Sequence, residues 1–328
     1  MRKRTGGVWH LAQIIADDLE DRETGLSKPQ RYGLADIAAS VLTCRSVNTS
    51  ELANILPRTV KSSEESYRYI NRWLSNSKIK PVEVMKGFIP ELLHTLTSKG
   101  QVAILMLDQS QIGNGFECLM VSLRIGERAI PVAWKVKKTA GEMGYDEQEP
   151  LLKAAYELIP QDIKVMIAAD RFYGTAALIS LCQGFCWQYR IRIKGNLHLS
   201  HHEGWIMTPH EAHKLELKEL QDVRLGEKGP LINVGILQEP GHPEPWFIAI
   251  DGKPSASHTL DYGMRWGIEA LFSDLKTRGF LITKTQLQHA DRIERLLLVL
   301  TIAFYWAVST GMEPPAQQPK SKKKLIDH

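Results

Sequence analysis

The spacing of apolar residues changes twice along the chain. Over residues 8 to 98 it is helical: Leu11, Ile14, Ile15 and Leu19 recur three and four apart, as do Leu34, Ile37, Ala38 and Val41, then Leu52, Ile55 and Leu56. The segment after Asn48 and Thr49 reads as a helix start. A second start lies at Ser62 and Ser63, with Glu64 and Glu65 in the first turn. From Gln101 the pattern becomes that of strands. Val102 to Asp108 is a nearly continuous apolar run ending in an acid, which predicts a buried strand with a polar group at its C-terminal edge. Beyond the turn at Gly113 and Gly115, two further strands are predicted over Phe116–Arg124 and Ala129–Val136. A helix from Glu147 to Leu158 precedes a second apolar strand, Val165–Asp170, which again ends in an acid. A helix from Gly174 to Gln183 and a fifth strand over Trp187–Lys194 complete the series.

Gly and Pro then break up residues 195–255 into short strands and turns. Two more helices follow, one carrying Tyr262 to Lys276 and one long and apolar from Asp291 to Trp306. The Pro-containing tail reads as disordered. The expected organisation is α/β: a helical domain over 1–98, a core over 99–194, a β-rich insertion over 195–255, two helices over 256–310 and a basic tail over 311–328. The helix after Ser62 bears Tyr67, Arg68, Tyr69, Arg72 and Trp73, a texture that suits a DNA-contacting bundle and equally suits plain helical packing.

At 328 residues, 43% hydrophobic and 24% charged, the chain has the composition of a globular protein. Neither a secretory leader nor a membrane-spanning run is legible, so a cytoplasmic protein with no membrane partner is expected. Cys44, Cys118, Cys182 and Cys186 form no spaced framework, and Cys182 and Cys186 read as core thiols. A net charge of +4 does not identify a nucleic-acid binder, although both ends, residues 1–5 and 320–324, are basic. No Gly-rich phosphate loop, dinucleotide fingerprint or nucleophile elbow is present, so no nucleotide cofactor is expected.

Candidate chemistry rests on carboxylates. On an ideal helix at about 100° per residue, Tyr262, Arg265, Glu269 and Lys276 share an arc of roughly 60°. Parallel strands ending in Asp108 and Asp170 would bring those two acids together, and Glu269 can reach them from a helix laid across the sheet edge. Three carboxylates in one cleft call for hard divalent cations, and a pair of such ions suits phosphodiester chemistry. Arg265 and Lys276 can meet phosphate oxygens. Each residue has a plainer reading: strand-end acids cap turns, and Arg265 with Glu269 is also an i,i+4 pair worth about 0.3 kcal/mol at a surface.

On the fifth strand, Arg190, Arg192 and Lys194 alternate onto one face, where they line a DNA channel or simply face solvent. Trp187, Trp246 and Trp266 are candidates to stack on an unpaired base, or to sit in the core. His198, His201 and His202 read as a solvated loop, since adjacent histidines on a strand point to opposite faces.

These residues resemble the bacterial insertion-sequence transposases of the DDE class, in the group with a Y-x2-R-x3-E-x6-K signature. Tyr262, Arg265, Glu269 and Lys276 match that signature without a gap, while Asp170 with Arg171 and Asp108 with Ser110 resemble the motifs of the other two acids. The resemblance implies a ribonuclease-H-like catalytic core interrupted by a mostly β insertion and preceded by a helical DNA-end-binding domain. It also implies two Mg²⁺ ions, with Mn²⁺ able to substitute, on Asp108, Asp170 and Glu269, and phosphate contacts from Tyr262, Arg265 and Lys276. The implied partners are double-stranded DNA at terminal inverted repeats, target DNA and a second copy of the chain in a nucleoid-associated synaptic dimer. The implied reaction is cut-and-paste transposition, with or without a hairpin intermediate. Two alternatives share these residues: a related nuclease without strand transfer, and a non-catalytic DNA-binding repressor.

Overall fold

A computed structural model describes residues 6–59 and 61–312, so both basic ends of the sequence lie outside the described residues. Six helices come first: α1 (Gly7–Asp21), α2 (Lys28–Cys44), α3 (Thr49–Ile55), α4 (Ser63–Leu74), α5 (Pro81–Met85) and α6 (Ile89–Thr97). Their starts follow from local chemistry. The Asn48 side chain accepts from the Ser50 and Glu51 amides, and Ser62 accepts from the Glu65 amide, so each satisfies donors that a helix N-terminus leaves open. The α2 stripe of Leu34, Ile37, Ala38 and Val41 is fully buried. Ile14, expected on the buried face of α1, is instead exposed while Ile15 and Leu19 are buried.

A ten-stranded sheet follows. Its strands are β1 (Ala103–Gly113), β2 (Phe116–Ile125), β3 (Arg128–Lys138), β4 (Val165–Ala169), β5 (Gln188–Arg192), β6 (Leu199–Ser200), β7 (Ile206–Met207), β8 (Glu219–Leu225), β9 (Leu231–Leu237) and β10 (Trp246–Ile250). They lie in the order β3-β2-β1-β4-β5-β10-β9-β8-β6-β7. The first three form an antiparallel meander, and β4 and β5 add to β1 in parallel through α7 (Tyr145–Glu157) and α8 (Ala176–Gly184). This is a ribonuclease-H-like arrangement preceded by a helical region. The strands of 195–255 do not stand apart from it: β10 pairs antiparallel with β5, Ile248 opposite Arg192, and continues the same sheet. The short α9 (Pro209–Lys214) lies between β7 and β8.

Two expectations about the site elements need correction. Asp108 does not end its strand, because β1 runs on to Gly113 and pairs with β2 throughout that extension. The segment from Tyr262 to Lys276 is not one regular helix either. After α10 (Ala256–Leu260) it comprises a 3₁₀ stretch (Asp261–Trp266), α11 (Gly267–Ser273) and a π-helical stretch (Asp274–Arg278). The change of pitch breaks the single polar face expected of an ideal helix.

The last helix, α12 (Ala290–Met312), joins the two regions. It packs on α2 and α4 and also on β3. There the Trp134 indole donates to the Glu294 carbonyl at 3.0 Å, while Arg295 bonds the Leu74 carbonyl and Asp291. Among the described residues no helix is long and apolar enough to cross a membrane. Cys118 and Cys182 are buried, and burial pushes the Cys182 thiol up to about 12; Cys186, expected in the core, is exposed.

At the far end of the β1–β2 hairpin, Gly113 has φ 103°, and a Cβ there would fall 2.8 Å from the Thr283 carbonyl oxygen. The neighbouring Asn114 donates to the Thr285 carbonyl at 2.6 Å, so the hairpin is pinned to the chain that follows the π-helical stretch. Gly113→Ala is expected to lower stability by about 1–3 kcal/mol through strain and backbone crowding. Urea unfolding checks this, and an unchanged midpoint would contradict it.

Candidate active site

Strand register sets the first two acids side by side. Leu107 is opposite Ala169 in the parallel β1–β4 pair, so the next residues, Asp108 and Asp170, are neighbours where that pairing ends. Each is oriented by the backbone that follows it. Asp108 Oδ1 accepts from the Gln109 amide at 2.8 Å and Asp170 Oδ1 from the Arg171 amide at 2.5 Å. Gly174 lets the loop after Asp170 lie against β5, since a Cβ there would fall 2.3 Å from the Arg192 carbonyl oxygen.

The 3₁₀ stretch and α11 bring the remaining groups across this edge. Arg265 donates from Nη1 to Asp108 Oδ2 at 3.1 Å and from Nη2 to Glu269 Oε1 at 2.6 Å. Its side chain is 8% exposed, Glu269 is 55% exposed, and Arg265 Nε is buried without a hydrogen-bond partner among the described residues. Burial raises the Asp108 carboxyl above its usual range; Arg265 and the Gln109 amide oppose the rise, and Asp170 and Glu269 add to it. Arg265 itself is held firmly protonated, because Tyr262, Asp108 and Glu269 outweigh its desolvation.

Tyr262 is buried beneath this pair. Its ring lies 5.7 Å from the Arg265 guanidinium and packs edge-on against Trp246, and burial raises its phenol. Lys276 reaches β1 from the π-helical stretch and donates to Ser110 Oγ at 2.5 Å. Burial lowers its ammonium, partly offset by Glu117, Cys118 and Asp108. Tyr173, which the sequence did not single out, is buried where the charges of Asp108 and Asp170 both act on its phenol, and burial with those charges raises it.

Beside Asp170 opens a cavity of about 470 Å³ lined by Arg171, Arg192, Lys194, His210, Glu244 and Phe247, among others. Glu244 Oε2 accepts from Arg171 at 3.0 Å and from Arg192 at 3.3 Å, so one carboxylate occupies two guanidinium forks. This carboxylate lies 74 residues beyond Asp170 on a Pro- and Gly-rich loop and carries no motif of its own.

Two sequence-proposed residues fall elsewhere. Arg190 is 5% exposed and paired with Asp251 at 2.6 Å, with Asp261 3.7 Å away, so it forms an internal ion pair instead of sharing an open basic face with Arg192 and Lys194. Trp187 is buried just before β5, against the half-buried Phe185 and the exposed Tyr156, at the end of the parallel strands opposite Asp170. Of the three tryptophans, Trp246 is buried and Trp266 is 45% exposed, stacked with His242 at 5.9 Å and 15°.

His201 and His202 lie in a loop, as expected: they occupy the β6–β7 turn, where with Glu203 they bring three donor atoms within 4.8 Å of one another. That spacing can hold a single divalent ion. No other trio among the described residues meets it, so Asp108, Asp170 and Glu269 stand wider, with Arg265 between two of them. β7 lies six places from β4 in the sheet, roughly 29 Å along it, so the histidine turn and the carboxylates are separate sites.

Residues 148–306 match the transposase DDE domain family. The match takes in Asp170, Tyr262, Arg265, Glu269 and Lys276 but begins after Asp108. No curated protein matches the chain. Among solved structures, the endonuclease V of Ciona intestinalis, in complex with a 24mer DNA containing an inosine followed by a ribo-adenosine, is similar at 14% identity, with a TM-score of 0.29. The alignment covers 50% of this chain and 77% of that one. The domain match spans just under half of the chain, and among the described residues one trio of side chains, His201, His202 and Glu203, is spaced to hold a metal ion.

Arg190→Ala is expected to destabilise the fold by about 1–3 kcal/mol, because it leaves two acids without their shared cation. Its urea midpoint should fall accordingly, and a midpoint equal to that of the wild type would contradict this.

Proposed function

We propose that the chain is a DNA transposase that cleaves the ends of a mobile element at terminal inverted repeats and joins the freed 3′ ends to target DNA. The observation that carries this reading is the register-fixed pair Asp108 and Asp170 facing Glu269 across a single arginine. The donor set suits a hard divalent cation: the ligands are oxygens, Asp108 is largely buried, and the single Arg265 guanidinium offsets only part of the charge of three carboxylates. Asp108, Asp170 and Glu269 would hold Mg²⁺, with Mn²⁺ able to substitute. When bound, a pair of ions would activate the attacking oxygen and stabilise the leaving one.

The protein's own groups orient the DNA. Asp108 and Asp170, each fixed by the following amide, present their second oxygens beyond the β1–β4 pairing. Lys276 and Arg265 meet phosphate oxygens near the scissile bond, and Tyr262 supports Arg265 from below. Water first attacks phosphorus and releases a 3′-hydroxyl. That hydroxyl then attacks a target phosphorus, forming one phosphodiester bond as another breaks. Arg171, Arg192 and Lys194 provide a basic cavity for the flanking strand, and the exposed face of Trp266 is placed to stack on a base. The helical region 1–98 would bind the inverted repeat, and two copies would pair the ends. A hairpin intermediate is compatible with the same site. Hydrolysis without strand transfer is the second reading, favoured by the same carboxylates, whereas a pure repressor would not need them.

Asp108→Asn, Asp170→Asn and Glu269→Gln should each lower Mg²⁺-dependent cleavage of a labelled inverted-repeat end by at least about 10²-fold while leaving end binding within a fewfold. Joined products with supercoiled target support transposition. Cleavage without joining supports the nuclease, and cleavage that survives Asp108→Asn would refute the site.

Glu244→Gln tests the basic cavity separately. With the competing carboxylate charge removed, Arg171 and Arg192 should bind DNA more tightly and with a steeper salt dependence. Equal affinity at every salt concentration would remove the cavity from the DNA path.

A further inference from the structure

The guanidinium of Arg265 takes the same carboxylate oxygens that a cation would need. Nη1 is bonded to Asp108 Oδ2 and Nη2 to Glu269 Oε1, and the side chain is 92% buried between them. The oxygens of Asp108, Asp170 and Glu269 are consequently not gathered within 4.8 Å. An arginine cannot lose its proton to make way, so a metal ion and this guanidinium cannot share the two carboxylates without strong like-charge repulsion.

Three features indicate where the guanidinium can go. Its Nε has no hydrogen-bond partner among the described residues, so the present arrangement leaves one of its donors unsatisfied. Glu269 is the exposed partner and can swing, whereas Asp108 is fixed by the Gln109 amide. The exposed side, where Glu269 lies, is where a DNA phosphate would approach.

We propose that Arg265 is a positioning residue that closes the carboxylate set until DNA is bound. Its guanidinium and the divalent cation compete for Asp108 and Glu269, and a DNA phosphate that draws the guanidinium away opens the set to the cation. Metal and DNA then bind with positive coupling, and the coupling is the same read from either ligand. This rests on the metal-and-DNA reading of the site given above. It adds an order of assembly: the protein without DNA holds its ions weakly.

Manganese titrations followed by electron paramagnetic resonance of the free ion test this without any catalytic readout. All proteins carry His202→Ala to remove the separate histidine turn. Without DNA, Arg265→Gln should bind Mn²⁺ roughly 5–150-fold more tightly than the parent, and Arg265→Lys, which keeps a cation, should stay near the parent. Duplex DNA, after subtraction of the Mn²⁺ it binds alone, should tighten Mn²⁺ binding to the parent and leave Arg265→Gln unchanged. Equal or weaker binding by Arg265→Gln overturns the proposal. If melting in chelator shows that this variant does not fold, the parent alone decides, because absence of DNA–metal coupling overturns it as well. The two readings fail differently: Mn²⁺ binding that is unaffected by Asp108→Asn sinks the metal site itself, whereas equal Asp108-dependent binding by parent and Arg265→Gln sinks only the competition.

Discussion

The site depends on a balance of charge in a partly dry place. Asp108 is carried by an internal strand and Asp170 by the strand beside it, so neither can move away from the other. Arg265 provides the compensating cation, and the elements around it fix its position. Tyr262 anchors the 3₁₀ stretch in a small cluster with Trp246, Ile248 and Ile250, Arg124 donates to the Met264 carbonyl at 2.5 Å, and Gly267 lets the start of α11 approach Met106. Breaking such a pair on one side would leave an uncompensated buried charge, which is far costlier than losing a surface ion pair.

The continuous sheet explains why the basic cavity lies next to the carboxylates. Because β10 joins β5 directly, the loop before β10 delivers Glu244 and Pro245 to the side of Arg171 and Arg192. An insertion folded as a separate unit would give no such adjacency. The cavity and the carboxylate edge therefore form one stretch of surface, with acids on β1, just beyond β4 and on α11, and cations on β5 and the loop after β4. In both places an internal ion pair occupies groups that the proposed substrate would engage: Arg265 on the acids, and Glu244 on the arginines.

Two strands were legible because strands buried on both faces are apolar throughout: the runs 102–108 and 165–170 predicted β1 and β4. The succession along the chain of three strands, helix, strand, helix, strand is as expected, whereas the order of the strands in the sheet was not read. The sequence also pointed to the acids that the structure sets at one edge. What it concealed were relations between distant segments. Arg190 alternates with Arg192 and Lys194 as an exposed basic face would, and only Asp251 and Asp261, more than sixty residues away, show it to be internal. Residues 201–203 lie in a turn, as the loop reading expected, but there the strand-based argument that adjacent histidines diverge does not apply, and their donor atoms converge. The π-helical stretch at Asp274 places Lys276 against Ser110, a displacement that ideal 100° spacing could not anticipate.

The central claim is that divalent ions bind at Asp108, Asp170 and Glu269 when DNA is present. The most direct measurement is anomalous diffraction at a wavelength sensitive to manganese, from crystals of the chain grown with Mn²⁺ and a DNA end. The account predicts anomalous density between Asp108 and Asp170, within ligand distance of Glu269, with the Arg265 guanidinium turned onto a phosphate. Manganese found only at His201, His202 and Glu203, with Arg265 still bridging Asp108 and Glu269 beside bound DNA, would contradict it.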